Sequence, residues 1–171
     1  MSNATGDTIP PPKSTGSVPC AVVTVSSTRT LETDEGGKAA VDLLEMSGHR
    51  VALRQLIDED PQGIRDMLRS LRERTDIDAV VMVGKTGLSP DDQAVETLLT
   101  IFDKRLPGFG EIYRWLSYQD IGPAAMLTRA TAGMMGRTIV FSIPGSPSSV
   151  RRAMEKLILP ELSRIVAEVR K

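Results

Sequence analysis

The sequence predicts one doubly wound α/β domain, with a mostly parallel sheet and helices on both of its faces. Strand segments alternate with helical segments along the chain, which is the order that builds a parallel sheet through crossover helices. The clearest strand, residues 78–83, is a continuous apolar run, as expected for a central parallel strand covered on both sides. A length of 171 residues without an internal repeat indicates a single core.

The first half of the chain alternates strands and helices regularly. The predicted elements are, in order, a strand at 21–26, a helix at 37–46, a strand at 51–57, a helix that begins at 60–61 and a strand at 78–83. β-Branched and apolar runs indicate the strands, and Gly48 closes the first helix. Asp60 can cap free N–H groups and Pro61 suits a first helical turn. The buried face of this second helix is predicted to carry Ile64, Met67, Leu68 and Leu71.

The second half is predicted to be mainly helical. The predicted elements are a helix at 93–102, helical segments at 113–116 and 123–132 separated by Gly122 and Pro123, a strand at 138–143 and a helix at 149–169. Pro160 is expected to bend the last helix, because proline cannot donate a backbone hydrogen bond. Residues 1–19 are rich in Ser, Thr, Gly and Pro and predict a flexible arm, which leaves 20–171 as the folded domain.

Composition narrows the possible functions. The formal net charge of −1 gives no basic field for nucleic-acid binding. The single cysteine, Cys20, excludes an internal disulfide and a cysteine-built zinc site, and the single histidine, His49, argues against a Ser-His-Asp triad. Both residues are expected to be structural. The absence of a membrane-spanning apolar run and of a signal-peptide pattern predicts a cytoplasmic protein with no membrane partner.

Three predicted strands lead into loops of small polar residues, at 26–30, 84–87 and 144–147. Ligands of open parallel sheets bind outside the carboxyl ends of the strands, and such loops expose N–H groups that suit phosphate. Asp58 and Asp92 also follow strands and could hold Mg²⁺ near phosphates, although either could simply cap a helix. Candidate phosphate partners, which could equally be solvated surface residues, are Arg29, Arg114 and Arg129.

Six ordered motifs resemble the MoaB/MogA family of molybdenum cofactor biosynthesis proteins, over residues 21–165. They are VSSTRTLETD at 25–34, GKTGLSPDDQ at 84–93, LPGFGE at 106–111, LSYQDIG at 116–122, LTRA at 127–130 and FSIPGSP at 141–147. The resemblance implies a molybdopterin-binding domain that assembles as a homo-oligomer, a trimer or a hexamer. It also implies transfer of AMP from Mg-ATP to the terminal phosphate of molybdopterin, a reaction that needs positioning but no covalent enzyme intermediate.

Carried over by position, the resemblance implies that Asp58 and Asp92 are the catalytic acids and the Mg²⁺ ligands. Asp34 falls in the first loop. The implied substrate-binding residues are Ser26, Gly84, Lys85, Thr86, Gly87, Ser89, Arg129, Pro144, Gly145 and Ser146.

Two positions depart from the family pattern. Lys85 stands where the central loop of relatives has a glycine, and Ser27 stands where many relatives have aspartate. The lysine could obstruct the pterin or strain the turn, or its ammonium could reach a phosphate. The function predicted is therefore a molybdopterin adenylyltransferase, and the alternative is a non-catalytic oligomeric paralogue that binds a pterin or a nucleotide.

Overall fold

The computed structural model describes residues 16–171 and contains one six-stranded sheet. The strands are β1 (Pro19–Val25), β2 (Arg50–Ile57), β3 (Ala79–Val83), β4 (Lys104–Arg105), β5 (Thr131–Met135) and β6 (Thr138–Ile143). Their order across the sheet is β2-β1-β3-β6-β5-β4. The first four in this order are parallel to one another, β5 is antiparallel to β6, and β4 is antiparallel to β5. The predicted fold class, mostly parallel and doubly wound, is confirmed.

Six α-helices connect and cover the strands. They are α1 (Glu35–Met46), α2 (Pro61–Glu73), α3 (Ala94–Ile101), α4 (Pro107–Ile121), α5 (Pro147–Ala153) and α6 (Leu159–Val169). The predicted start of α2 is confirmed, because the Asp60 carboxylate accepts the N–H of Gly63 at 2.8 Å and Pro61 is the first helical residue. None of the helices within residues 16–171 is long and apolar enough to cross a membrane.

The sheet separates two hydrophobic cores. In β3, Ala79, Val81 and Val83 face one core, and Val80 and Met82 face the other, as the two-residue period of a strand requires. Helices α1, α4, α5 and α6 cover the first core, and α2 and α3 cover the second. All five β3 residues are buried, as expected for a central parallel strand.

The prediction of a helical segment at 123–132 is wrong. A 3₁₀ turn at Gly122–Leu127 ends early, and the following residues form β5. Two tertiary features override the helix propensity of the Ala and Met residues here. Gly136, at φ 61°, makes a two-residue turn that pairs Met135 with Thr138, and the backbone of Gly133 lies against the ring of Phe102.

Helical regions elsewhere differ in extent from the prediction. The segment predicted at 113–116 is part of the fifteen-residue helix α4. The helix predicted at 149–169 with a bend at Pro160 is divided into α5 and α6. A π-helical turn at Met154–Ile158, just before the proline, joins the two helices. Of the predicted arm 1–19, residues 1–15 lie outside the described residues, Val18 is buried and Pro19 is the first residue of β1.

Candidate functional site

The carboxyl ends of the parallel strands form one edge of the sheet, and three loops meet there. The loops are the first loop (26–34) after β1, the central loop (84–92) after β3 and the last loop (144–146) after β6. A Cβ on Gly84 would lie 2.8 Å from the carbonyl oxygen of Val25, and one on Gly145 would lie 3.3 Å from the Cα of Gly84. The contact at Gly84 excludes a larger residue and the contact at Gly145 is tighter than most Cβ contacts, so these glycines let the three loops approach closely.

A cavity of about 360 Å³ lies beside the central loop, between that loop, α4 and the start of α5. Its size is within the range of small-ligand sites. Its lining comprises Lys85, Thr86, Gly87, Asp92, Tyr113, Ser117, Ile121, Ala124, Leu127, Thr128, Pro144, Ser149 and Arg152. The lining therefore combines apolar and aromatic side chains with hydroxyl and charged groups.

Asp92 is held at the edge of this cavity by the central loop itself. Its Oδ2 accepts the N–H of Ser89 at 3.3 Å, and its own N–H donates to the Ser89 carbonyl at 2.8 Å. A Cβ on Gly87 would lie 2.5 Å from the same Oδ2. The other oxygen, Oδ1, is 3.5 Å from the Nζ of Lys85. The turn thus fixes one carboxylate oxygen and leaves the second to face a cation.

Lys85 has φ 57°, the only positive φ of a non-glycine residue in the described part of the chain. Its ammonium pairs with Glu59 as well as with Asp92. The hydrogen bond from Lys85 lowers the pKa of Glu59, with a second contribution from the hydroxyl of Ser27, and the same bond to Glu59 raises the pKa of Lys85. At neutral pH the site therefore contains a charged lysine between two acids.

Glu59 has the contacts that the sequence led us to expect of Asp58. Asp58 is exposed, and its carboxylate has no hydrogen bond or ion pair within residues 16–171, whereas Glu59 contacts Ser27 and Lys85. Three consecutive acids follow β2, and the third, Asp60, is the cap of α2. Residue type alone does not distinguish the first two, and the catalytic role of Asp58 stays a prediction.

A resident Mg²⁺ held by Asp58 and Asp92 does not fit this arrangement. Among residues 16–171 no group of three or more His, Cys, Asp or Glu side chains could hold a metal ion. The carboxylate that faces Asp92 is that of Glu59, and the ammonium of Lys85 already lies between the two. The three side chains present form a network in which one ammonium lies between two carboxylates.

Arg129, whose binding of substrate stays a prediction, braces the central loop in this structure. Its Nε donates to the Gly87 carbonyl and its Nη2 to the Asp92 carbonyl, both at 2.9 Å. Its guanidinium also pairs with Glu96, and its backbone N–H donates to the Thr86 carbonyl at 2.9 Å. These bonds hold the loop in place and occupy most of the donors that a phosphate would need.

The first loop is closed largely by its own hydrogen bonds. The hydroxyl of Ser26 accepts the N–H groups of Thr28 and Arg29, each at 3.2 Å. The guanidinium of Arg29 donates to the Gly145 carbonyl at 3.2 Å, which links this loop to the last one. Asp34 is buried and caps α1 through the N–H of Gly37 at 2.9 Å. Ser26 and Asp34 therefore shape the edge of the sheet.

The other predicted residues divide into cavity lining and support. Thr86, Gly87 and Pro144 line the cavity. Gly84 donates its N–H to the Ile143 carbonyl at 2.9 Å and underlies the loops. Ser146 caps α5 through the N–H of Ser149 at 3.2 Å, and Ser89 is exposed at the turn. Arg114 donates to the Ala130 carbonyl at 3.3 Å, away from this cavity.

Sequence reasoning missed the wall that α4, the 3₁₀ turn and α5 contribute. Tyr113 and Ser117 are inward-facing residues of α4, and Arg152 supplies a second cation to the cavity while paired with Asp120. Thr128 brings a buried hydroxyl that has no hydrogen-bond partner in the described structure. Recognition of α4 over its full length would have placed Tyr113 and Ser117 on its buried face.

Cys20 and His49 take no part in the site. Burial raises the pKa of the Cys20 thiol to about 12, so a thiolate nucleophile is not available at neutral pH. The Nδ1 of His49 accepts the N–H of Val18 at 3.2 Å, and burial lowers the pKa of its ring. Both residues are structural.

The chain is similar in sequence and in fold to known proteins of molybdenum cofactor biosynthesis. A family model described as "Probable molybdopterin binding domain" matches residues 21–164. The molybdenum cofactor biosynthesis protein B of Bacillus subtilis (strain 168) is 45% identical over 155 residues, which are 90% of this chain and 91% of that protein. A crystal structure of a molybdenum cofactor biosynthesis protein B superposes with a TM-score of 0.88 at 42% identity, covering 91% of this chain and 97% of that one.

A third similarity is to the tungsten cofactor synthesizing protein MoaB from Pyrococcus furiosus. Its crystal structure superposes with a TM-score of 0.79 at 31% identity and covers 91% of this chain and 98% of that one. The similarity therefore extends over almost the full length of these relatives and includes all the loops at the carboxyl edge.

Proposed function

Because the chain belongs to the molybdenum cofactor biosynthesis family that includes the MoaB proteins, we propose that it binds molybdopterin and transfers AMP to it from Mg-ATP. In this reaction a terminal phosphate oxygen of the pterin attacks the α-phosphorus of ATP. The P–O bond to the β-phosphate breaks, and the products are adenylylated molybdopterin and pyrophosphate. Mg²⁺ enters as part of the nucleotide substrate. The proposed compartment is the cytoplasm.

The observation that carries this proposal is the cavity beside the central loop. Tyr113, Ile121 and Leu127 give it a wall suited to a flat aromatic ligand, and Lys85 and Arg152 give its rim two cations suited to phosphate. A pterin that bears a phosphate combines these two chemical features. Among the described residues that line the cavity, none is a serine, threonine or cysteine paired with a histidine, which is consistent with direct transfer between bound substrates, for which positioning is the main requirement.

Each residue group has a distinct part in this proposal. Asp92 orients the reacting phosphates from its fixed position in the turn, and Thr86 and Gly87 present main-chain groups to the ligand. Arg129 acts indirectly, because it holds the loop. Lys85 meets the phosphate, and Ser26, Gly84, Ser89, Pro144, Gly145 and Ser146 form the surrounding edge. Asp58 stays a candidate on the resemblance alone.

An assay of the purified protein tests the activity directly. Incubation with Mg-ATP and molybdopterin should yield adenylylated pterin and pyrophosphate in equal amounts. Asp91→Asn is the matched control for Asp92→Asn, because Asp91 is the exposed neighbour of Asp92. Product formation that survives Asp92→Asn unchanged would remove Asp92 from the mechanism, and folded wild-type protein that makes no product would exclude the adenylyltransferase.

A second candidate function, a binding protein without turnover, is favoured by Lys85. A side chain at a positive φ, paired with Asp92, stands where the family loop has a glycine. If Lys85 prevents turnover but not binding, the wild-type protein should bind the pterin without making product, and Lys85→Gly should make product. A wild-type protein that makes product excludes this candidate. Fluorescence titration with the pterin measures binding, and the product assay measures turnover.

Assembly into a trimer or a hexamer is also part of the proposal. Several large apolar side chains of α4 and the following 3₁₀ turn are exposed and lie outside the lining of the cavity, namely Ile112, Trp115, Tyr118 and Met126. Exposed apolar side chains in one region are typical of protein–protein interfaces, and a second copy of this chain is the proposed partner. Light scattering should give the mass of a trimer or a hexamer, and Trp115→Glu should reduce it to that of one chain.

A further inference from the structure

Lys85, Glu59 and Asp92 form a network in which each acid is fixed through one oxygen. The Oε1 of Glu59 accepts the hydroxyl of Ser27, and its Oε2 faces Lys85. The Oδ2 of Asp92 accepts the N–H of Ser89, and its Oδ1 faces Lys85. The two free oxygens therefore converge on one point, and the ammonium occupies that point.

Two converging carboxylates are an ordinary beginning for a divalent site. Mg²⁺ is commonly held by one or two carboxylates while water completes its octahedron at about 2.0–2.1 Å. The ammonium of Lys85 occupies the space where such an ion would sit, and its charge would repel the ion strongly at this distance. The lysine also reduces the formal charge of the trio from −2 to −1, which favours the approach of an anionic ligand.

The backbone at Lys85 indicates that this placement has a cost. A left-handed conformation is strained for a non-glycine residue, because its Cβ lies too close to the following carbonyl oxygen. The side chain is 28% exposed, and its ammonium is the part that contacts the two acids. Strained non-glycine residues persist where surrounding contacts fix them, and they cluster at functional sites.

We infer that the ammonium of Lys85 is the resident cation of this site, in place of a divalent metal ion. It neutralises the Glu59–Asp92 pair and excludes Mg²⁺ from it when no nucleotide is bound. Removal of the positive charge should turn the same pair into a divalent-cation site. This inference does not depend on adenylyl transfer, because it concerns the protein without pterin or nucleotide.

Electron paramagnetic resonance with Mn²⁺, a spectroscopic substitute for Mg²⁺ at oxygen ligands, tests the inference. Lys85→Met removes the ammonium and keeps an unbranched side chain that is one atom shorter, and we expect it to bind one Mn²⁺ per chain at least about tenfold more tightly than the wild-type protein. Mg²⁺ should compete for that site. Lys85→Arg, which keeps the charge, should show no gain, and the double variant Lys85→Met/Glu59→Gln should lose the gain again.

Two outcomes would overturn the inference. One is wild-type protein that binds Mn²⁺ as tightly as Lys85→Met and loses this binding in Asp92→Asn. The other is a folded Lys85→Met protein with no gain at all. If methionine at this backbone position prevents folding, Lys85→Gly carries the same test with a relaxed backbone, and circular dichroism verifies the fold of each variant.

Discussion

The first loop and the central loop both leave a buried parallel strand, contain small polar residues and include an aspartate just before a helix. In both loops an arginine donates to the main-chain carbonyl of that aspartate: Arg54 to Asp34 at 3.3 Å and Arg129 to Asp92 at 2.9 Å. The two arginines differ in their ion pairs. Arg54 also pairs with the carboxylate of Asp34 at 3.5 Å, whereas Arg129 pairs with Glu96.

The consequence of this difference is seen in the two carboxylates. Asp34 is buried, with Oδ2 bonded to the hydroxyl of Thr24 at 2.6 Å and Oδ1 to the N–H of Gly37, so the chain itself uses both oxygens. Asp92 keeps Oδ1 for Lys85 and the cavity. Similar loop sequences thus produce a structural acid in one case and an acid available to a ligand in the other.

The largest effect on stability is expected from Asp34→Ala. The change leaves Arg54 without its carboxylate partner, removes the cap of α1 and empties a buried polar position, so the free energy of unfolding should fall by about 3–5 kcal/mol. Urea denaturation measures it. Asp42→Ala is the control, because Asp42 forms only an exposed pair with Lys38 and should cost less than about 0.5 kcal/mol. Equal losses in both variants would contradict the structural role of Asp34.

Asp92→Asn, in contrast, is expected to lower the activity of the protein and to change its stability little. The substitution retains the shape of the side chain and a possible acceptor for the N–H of Ser89, so the free energy of unfolding should change by less than about 1 kcal/mol. Loss of a positioned charge in a transfer reaction should lower kcat by about 100-fold or more. Parallel urea denaturation and product assays give both quantities. A large loss of stability with unchanged kcat would place Asp92 beside Asp34 as a structural acid.

The bracing of the central loop by Arg129 should have an intermediate effect. Arg129→Gln removes the ion pair to Glu96 and breaks at least one of the hydrogen bonds to the Gly87 and Asp92 carbonyls, which should lower the free energy of unfolding by about 1–3 kcal/mol. Since the arginine does not touch the substrate in our proposal, binding of the pterin should weaken only as far as the loop becomes mobile. Hydrogen exchange at Gly87 and Leu88 measures that mobility. Unchanged exchange would exclude the brace.

Sequence patterns predicted the parts of the fold that depend on local signals. The apolar run of β3 and the Asp60–Pro61 start of α2 are examples, because one reflects burial on both faces and the other reflects capping within three residues. The strand β5 could not be predicted, since pairing with β6 and the contact between Gly133 and Phe102 decide it. Those contacts join residues that are distant in the sequence.

The candidate site was predictable in its location and less so in its individual contacts. The three loops meet at one edge of the sheet, as the topology of parallel strands requires. The glycines that let the loops approach closely are visible in the sequence, so the location could be predicted. The choice of Glu59 over its neighbour Asp58 depends on the direction of two consecutive side chains after β2, which composition does not encode. The brace of Arg129 was equally invisible, because it spans 37 residues to Asp92.

The smallest expected effect concerns pH and the pair of Glu59 with Lys85. The folded pKa of Glu59 lies below its ordinary value of 4.5, so its stabilising contribution is complete above pH 4.5 and is lost as the pH falls through the folded value. The folded pKa of Lys85 lies above 10.5, so its contribution is complete below pH 10.5 and is lost as the pH rises through the folded value.

The pair should therefore stabilise the protein evenly between about pH 5 and pH 10, and by less than about 1 kcal/mol because both side chains are partly exposed. Glu59→Gln should make unfolding less sensitive to acid, with a smaller drop in the urea midpoint between pH 6 and pH 3.5 than the wild-type protein shows. An identical drop in both proteins would mean that the carboxylate gains nothing from the lysine.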